Sequence, residues 1–66
     1  MKMLKLKAKI MEKGMNVESF AIAIGMERSK LYRKLNSFEK ITIGEAARMK
    51  SVLEMSDEEA IYIFLT

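Results

Sequence analysis

Apolar residues recur along the chain mostly at spacings of three and four positions, which is the period of an amphipathic α-helix. Short polar or glycine-containing stretches separate five such segments. The pattern therefore predicts an all-α fold, a compact five-helix domain. The predicted helices cover about residues 4–13, 16–24, 27–35, 43–53 and 57–64.

Each predicted helix has a few apolar positions on one face, and these positions are the candidate core. In the first helix they are Leu6 and Ile10, with Met3 on the same face. The members from the next three helices are Val17, Phe20, Ala21, Ile24, Leu31, Leu35, Ala46, Met49 and Leu53. Together they predict a single core for residues 1–66, which we treat as one domain.

Polar residues mark where several of these helices begin. Asn16 has the side chain of a good N-cap. Thr42 with Glu45, and Ser56 with Glu59, have the spacing of a capping box, in which each side chain bonds the backbone N–H of the other residue.

The helix ends are less uniform. Gly14 and Gly25 can adopt the positive φ that commonly ends a helix, and Asn36 can close the third helix. The last apolar stretch, "IYIFL" at residues 61–65, is rich in β-branched and aromatic residues and is compatible with a strand. The cap at Ser56 favours a helix there.

Composition limits the possible functions. The chain has 66 residues and no Cys, His or Pro. It therefore lacks thiolate chemistry and the usual neutral-pH acid or base. No phosphate-binding glycine loop is present, so we expect no enzyme activity, no cofactor, no metal and no small-molecule ligand. No apolar run approaches a membrane span or a signal peptide, which favours a cytoplasmic protein.

Charge is distributed unevenly along the chain. The net charge is +3, but residues 1–40 contain ten Lys and Arg against four Glu. Residues 41–66 contain two Lys and Arg against five acidic residues. This asymmetry favours an anionic partner at the first part of the chain, although small soluble domains often show uneven charge without such a partner.

The second and third helices are separated only by a short turn. Ala21 precedes Gly25 by four residues, and Leu31 follows it by six. A sharp turn requires the glycine, a close helix crossing requires a small side chain, and Leu31 fills the angle between the helices. This is the pattern of a helix-turn-helix, whose second helix enters the DNA major groove.

Residues 6–36, "LKAKIMEKGMNVESFAIAIGMERSKLYRKLN", resemble the phage Cro/repressor type of helix-turn-helix domain. Residues 41–64, "ITIGEAARMKSVLEMSDEEAIYIF", resemble the two further helices of that family in phages of Gram-positive bacteria. The resemblance implies a lambda-repressor-like DNA-binding fold in the cytoplasm of a bacterial host cell. It also implies binding to double-stranded operator DNA, usually as a homodimer on a near-palindromic site.

The sequence departs from the family pattern at two positions. Lys34 stands where many members have an apolar core residue, and we expect Leu35 to take that role. Glu27 puts a negative charge where backbone phosphates pass. It either accepts a hydrogen bond from a cytosine N4 or serves only the helix N-terminus.

Residues 27–35 form the candidate recognition helix, with Leu31 and Leu35 directed inward. The outward residues are then Arg28, Ser29, Tyr32 and Arg33. Arginine is suited to bidentate contacts with guanine, and serine to a base edge or a phosphate. Tyr32 either contacts a thymine methyl or a phosphate, or packs half against the first helix. Lys30 and Lys34 are expected to contact phosphates, since lysine acts as a point charge.

Further phosphate contacts are expected beside this helix. In the resembled family the start of the second helix points at a phosphate, which assigns that role to Asn16 and Val17, with Asn16 also serving as the N-cap. Ser37 and Lys40, in the loop after the third helix, are further candidates. Lys5, Lys7 and Lys9 of the first helix either contact the DNA backbone or form a solvated face.

The C-terminal part is acidic and apolar, so we expect it to face away from DNA. Tyr62, Ile63 and Leu65 are the candidate dimer contacts, with Ile61 and Phe64 in the core; alternatively, all five residues close the core. The sequence thus predicts a Cro-like transcriptional repressor that acts by occupying an operator. The competing interpretation is a module that binds another regulatory protein instead of specific DNA.

Overall fold

The computed structural model describes residues 3–36 and 41–65, and all regular structure in these two ranges is α-helical. The five helices are α1 (Met3–Glu12), α2 (Val17–Ile24), α3 (Arg28–Asn36), α4 (Ile43–Val52) and α5 (Asp57–Phe64). The prediction of an all-α, five-helix domain is confirmed. The stretch 61–64 is helical, so the strand alternative is wrong there. Within the described ranges, none of the helices combines the length and the apolar character that crossing a membrane requires.

The helix ends follow the local signals in the sequence. Asn16 caps α2, and its side chain accepts the N–H of Ser19 at 2.8 Å while the Ser19 hydroxyl accepts the N–H of Asn16 at 3.0 Å. Gly25 ends α2 in the left-handed conformation, with φ of 70°. Both predicted capping boxes, at the starts of α4 and α5, are present.

One core joins the five helices. Helix α2 packs against α3 and α4, α1 packs against α3 and α5, and α4 packs against α5. The predicted inward positions of α1 to α4 are buried or half-buried, which confirms the helical stripes of these four helices. The buried apolar residues are Leu6, Ile10, Phe20, Ala21, Ile24, Leu31, Leu35, Met49, Leu53, Met55 and Ile63.

Helix α5 is rotated relative to the prediction. Ile63, a predicted dimer contact, is only 4% exposed and belongs to the core, whereas Ile61, a predicted core residue, is 53% exposed. The Glu59 carboxylate accepts a hydrogen bond from the Lys9 ammonium of α1 at 2.8 Å. Ile63 follows Glu59 by one helical turn and therefore shares its face toward α1. Phe64 is half-buried against the core, as predicted.

The buried and exposed isoleucines allow a matched test of this core. Ile24 is 2% exposed and Ile43 is 91% exposed. Ile24→Val removes a buried methyl group and should lower the free energy of unfolding by about 0.5–1.5 kcal/mol. Ile43→Val should change it by less than about 0.5 kcal/mol. Urea denaturation followed by circular dichroism measures both, and equal effects would contradict the assigned core.

The Lys9–Glu59 ion pair predicts a dependence of stability on pH. The hydrogen bond from Lys9 is the main reason that the pKa of Glu59 lies below its ordinary value of 4.5. Because the folded-state pKa is lowered, the stabilisation is present above pH 4.5 and is lost as pH falls through the folded-state value.

Replacing Glu59 by glutamine should therefore make the loss of stability below pH 4.5 less steep. Glutamine at this position keeps the capping box with Ser56, so the effect of charge is isolated. Urea denaturation between pH 6 and pH 3 measures the slope. The exposed neighbour Glu58, changed to glutamine, is the control, and an equal flattening in both variants would contradict a specific role of the Lys9 pair.

Candidate nucleic-acid interface

Helix α3 has one buried side and one exposed side. Leu31 and Leu35 are buried in the core, as predicted. The opposite side is exposed and contains the four residues predicted to face a groove, and Lys30 is exposed beside them. The four residues are Arg28, Ser29, Tyr32 and Arg33.

Lys34 does not belong to the exposed side, and the prediction that it contacts a phosphate is corrected here. Its side chain is buried, and its ammonium lies 3.0 Å from a carboxylate oxygen of Glu45 in α4. It follows Leu31 by three residues and therefore lies on the same inward face. Leu35 is buried as well, so both residues occupy the core side of α3.

The Glu45 carboxylate joins α4 to α3 through polar contacts. It accepts the N–H of Thr42 at 2.9 Å and contacts the ammonium groups of Lys34 at 3.0 Å and Lys30 at 3.8 Å. Burial raises the pKa of Glu45, but the hydrogen bonds from Thr42 and Lys34 outweigh it, and the pKa lies below 4.5. Glu45 is therefore ionised at neutral pH.

Two further polar contacts hold α3 against its neighbours. A guanidinium nitrogen of Arg28 lies 3.5 Å from a carboxylate oxygen of Glu18 in α2, and both side chains are mostly exposed. At the other end of α3, the Lys7 ammonium donates to the side-chain oxygen of Asn36 at 2.6 Å. The Asn36 amide donates in turn to the carbonyl of Tyr32 at 3.0 Å, which confirms that Asn36 closes the helix.

Tyr32 lies at the edge of a groove between α1 and the start of α2. The groove has a volume of about 390 Å³ and is also lined by Ile10, Met15 and Val17. About half of the Tyr32 side chain is exposed. The residue is therefore half-packed beside α1, and it retains an exposed part on the outward side of α3.

The start of α2 lies beside this groove. Asn16 is exposed and lines it together with Val17, which is half-buried. The capping box satisfies the N–H groups of Asn16 and Ser19, whereas the first N–H groups of a helix have no partner within it. The N–H groups of Val17 and Glu18 are in these first positions of α2, so the start of this helix is suited to an anion.

The remaining predicted contacts are distributed as follows. Glu27 is exposed directly before α3, and its carbonyl accepts the N–H of Leu31 at 3.0 Å. Ser37 and Lys40 lie outside the described residues. Lys9 is turned toward α5 by its contact with Glu59, whereas Lys7 contacts the end of α3.

Sequence reasoning missed the role of Glu45 between α3 and α4. The sequence identified this residue only as part of a capping box. The one available signal was a lysine at an inward position of α3, because a buried ammonium requires a partner of opposite charge.

The described residues contain no cluster of three or more acidic side chains placed to hold a metal ion. Comparison of the chain with protein families, with curated proteins and with solved structures gives no significant match. The likeness to Cro/repressor domains stays a prediction from the residues quoted above.

Proposed function

We propose that this protein is a sequence-specific regulator of transcription that binds double-stranded DNA through α3. The observation that carries the proposal is that α3 has one buried side and one exposed side that is polar and basic. Its buried side fixes the helix on the core, while Arg28, Ser29, Tyr32 and Arg33 share the exposed side. The function is that of a Cro-like repressor, which blocks transcription by occupying an operator.

The dimensions of α3 suit this role. An α-helix with its side chains is about 10–12 Å in diameter, and the major groove of B-DNA is about 12 Å wide and admits a helix. Arg28 and Arg33 are the candidates for bidentate contacts with guanine. The deep and narrow major groove of A-form RNA admits such a helix poorly, which favours DNA over RNA.

Backbone contacts would come from the elements beside α3. The capped start of α2 offers N–H groups and the positive end of a helix dipole to a phosphate. Asn16 lies at this position, so one residue serves as cap and as phosphate contact. Lys30 supplies a positive charge at the flank of α3 next to α4.

The α4–α5 surface supports a homodimer on DNA. A groove of about 360 Å³ lies between these helices, with Ala46, Ala47 and Ala60 in its lining and the aliphatic side chains of Ile61 and Leu65 at its edge. Leu65 was already a predicted contact, and Ile61 takes the place of the buried Ile63. Tyr62, the third predicted contact, is exposed but lines a different groove, beside α1. Aliphatic side chains beside an alanine-lined groove on one surface suit a two-fold interface, in which both copies use the same patch.

DNA binding is tested by selecting sites from a randomised pool at about 150 mM salt. We expect an inverted repeat with half-site centres about one helical turn apart. Arg28→Ala should then cost about 1–3 kcal/mol of binding free energy and relax specificity at one base position.

Lys13→Ala is the matched control, because it also removes one positive charge but lies after α1, beside Glu54, and belongs to neither proposed surface. It should leave the base preferences unchanged. Recovery of no enriched motif, with binding lost at physiological salt, would contradict the proposal. The search would then turn to a protein partner that binds the exposed side of α3.

The dimer surface is tested with two leucines of similar exposure. Leu65 is 78% exposed beside the α4–α5 groove, and Leu4 is 81% exposed on α1. Leu65→Gln should weaken dimerisation and cooperative binding to the inverted repeat, whereas Leu4→Gln should not. Sedimentation and titration of DNA measure these effects. A wild-type protein that stays monomeric at high concentration, both alone and on DNA, would exclude the dimer.

A further inference from the structure

Between residues 28 and 48, the part of the chain that the structure describes has five cationic side chains. The Glu45 carboxylate contacts two of them. Lys34 is 6% exposed and lies 3.0 Å from one carboxylate oxygen, while Lys30 is about half exposed and lies 3.8 Å from the other. Glu45 is itself only 6% exposed. One buried carboxylate of α4 therefore faces two lysines of the candidate recognition helix.

The carboxylate is held firmly in this position. Glu45 is the third residue of α4, and its capping box with Thr42 fixes its side chain at the start of the helix. The ionised form is favoured at neutral pH, as described above. The three groups therefore have a combined charge of +1 instead of the +2 that the two lysines alone would present to DNA.

We propose that Glu45 is a positioning residue that limits non-specific DNA binding by α3. It keeps Lys34 in the core, away from DNA phosphates, and it weakens the phosphate contact of Lys30 by restraining that side chain at the α4 flank. This inference rests on the DNA-binding function proposed above and adds a determinant of its specificity.

The physical reason is that phosphate contacts and base contacts contribute differently. Phosphate contacts supply most of the affinity for any sequence and make it depend on salt, whereas base contacts distinguish sequences. A lysine that is restrained by a carboxylate contributes less to the phosphate contacts. The exposed residues Arg28, Ser29 and Arg33 then account for a larger share of the binding, and the ratio of specific to non-specific affinity rises.

Glu45→Gln tests this role, because glutamine keeps the capping box with Thr42 while removing the negative charge. Binding to the selected operator and to an unrelated duplex of equal length is measured across salt concentrations. For each lysine released, the slope of log K against log salt should steepen by about 0.9 on the unrelated duplex. The ratio of specific to non-specific affinity should fall.

Asp57→Asn is the matched control for net charge. It removes one negative charge from the start of α5, where Asp57 lies 3.0 Å from Lys50. We expect its salt slope on the unrelated duplex to equal that of the wild type. Equal slopes for Glu45→Gln and the wild type would overturn the inference.

A second set of variants separates release of lysine from loosening of α3. Lys30→Gln should lower the salt slope by about 0.9 in the Glu45→Gln background and by less in the native background. A constant effect of Lys30→Gln in both backgrounds would contradict restraint by Glu45.

Lys34→Met keeps the inference testable if Glu45→Gln does not fold, as judged by circular dichroism. Methionine retains an apolar stem in the core and leaves Lys30 as a cation for Glu45. The salt slope should then stay unchanged or become shallower by less than 0.9, whereas a decrease of about 0.9 would show that Lys34 reaches a phosphate and would overturn the inference.

The two proposals fail in different ways. If the wild-type protein selects no motif, the DNA-binding function itself is wrong. If the wild type selects an operator but the charge of Glu45 has no effect on the salt slope, only the positioning role is wrong.

Discussion

Burial of the apolar side of α3 is the interaction on which the rest of the structure depends. Leu31 is completely buried and Leu35 nearly so, and α3 packs against both α1 and α2. A domain of this size without disulfides has a core that supplies only about 3–5 kcal/mol of stability, so each buried leucine is a large share of it. The same contact that stabilises the domain also fixes which side of α3 is exposed.

The buried Lys34–Glu45 pair is a second constraint on α3, of a different kind. Two charges removed from water gain little net stability, because desolvation offsets their attraction, and apolar replacements are often as stable. Removing one partner is costly, however, since the other charge then stays buried. The pair therefore restricts how α3 can lie on α4 more than it strengthens the fold, and it places an acidic group under a basic helix.

The surface of the domain is divided into regions of different chemistry. Basic and polar side chains occupy the outer side of α3, whereas the groove between α4 and α5 is lined mostly by aliphatic side chains and alanine. A protein that binds DNA and a second copy of itself needs two such separate surfaces. The ion pair between Lys9 and Glu59 joins α1 to α5.

The sequence alone determined the helices, their caps and most of the core. The signals for these features are local, because capping boxes and apolar stripes involve residues no more than four positions apart. The caps at Asn16, Thr42 and Ser56 and the left-handed Gly25 were therefore readable, and so was the exposed set on α3.

Tertiary contacts decided the features for which local patterns are ambiguous. Residues 60–64 are apolar at every position, so their period cannot select an inward face, and packing of α5 on α1 buried Ile63 instead of Ile61. Glu54 adopts a φ of 52° without the glycine that would indicate such a turn. Lys34 was predicted to be a solvent-facing charge, because its partner, Glu45, lies on another helix and no local pattern joins the two. Only the fold, in which α3 and α4 both pack against α2, brought the two charges within 3.0 Å.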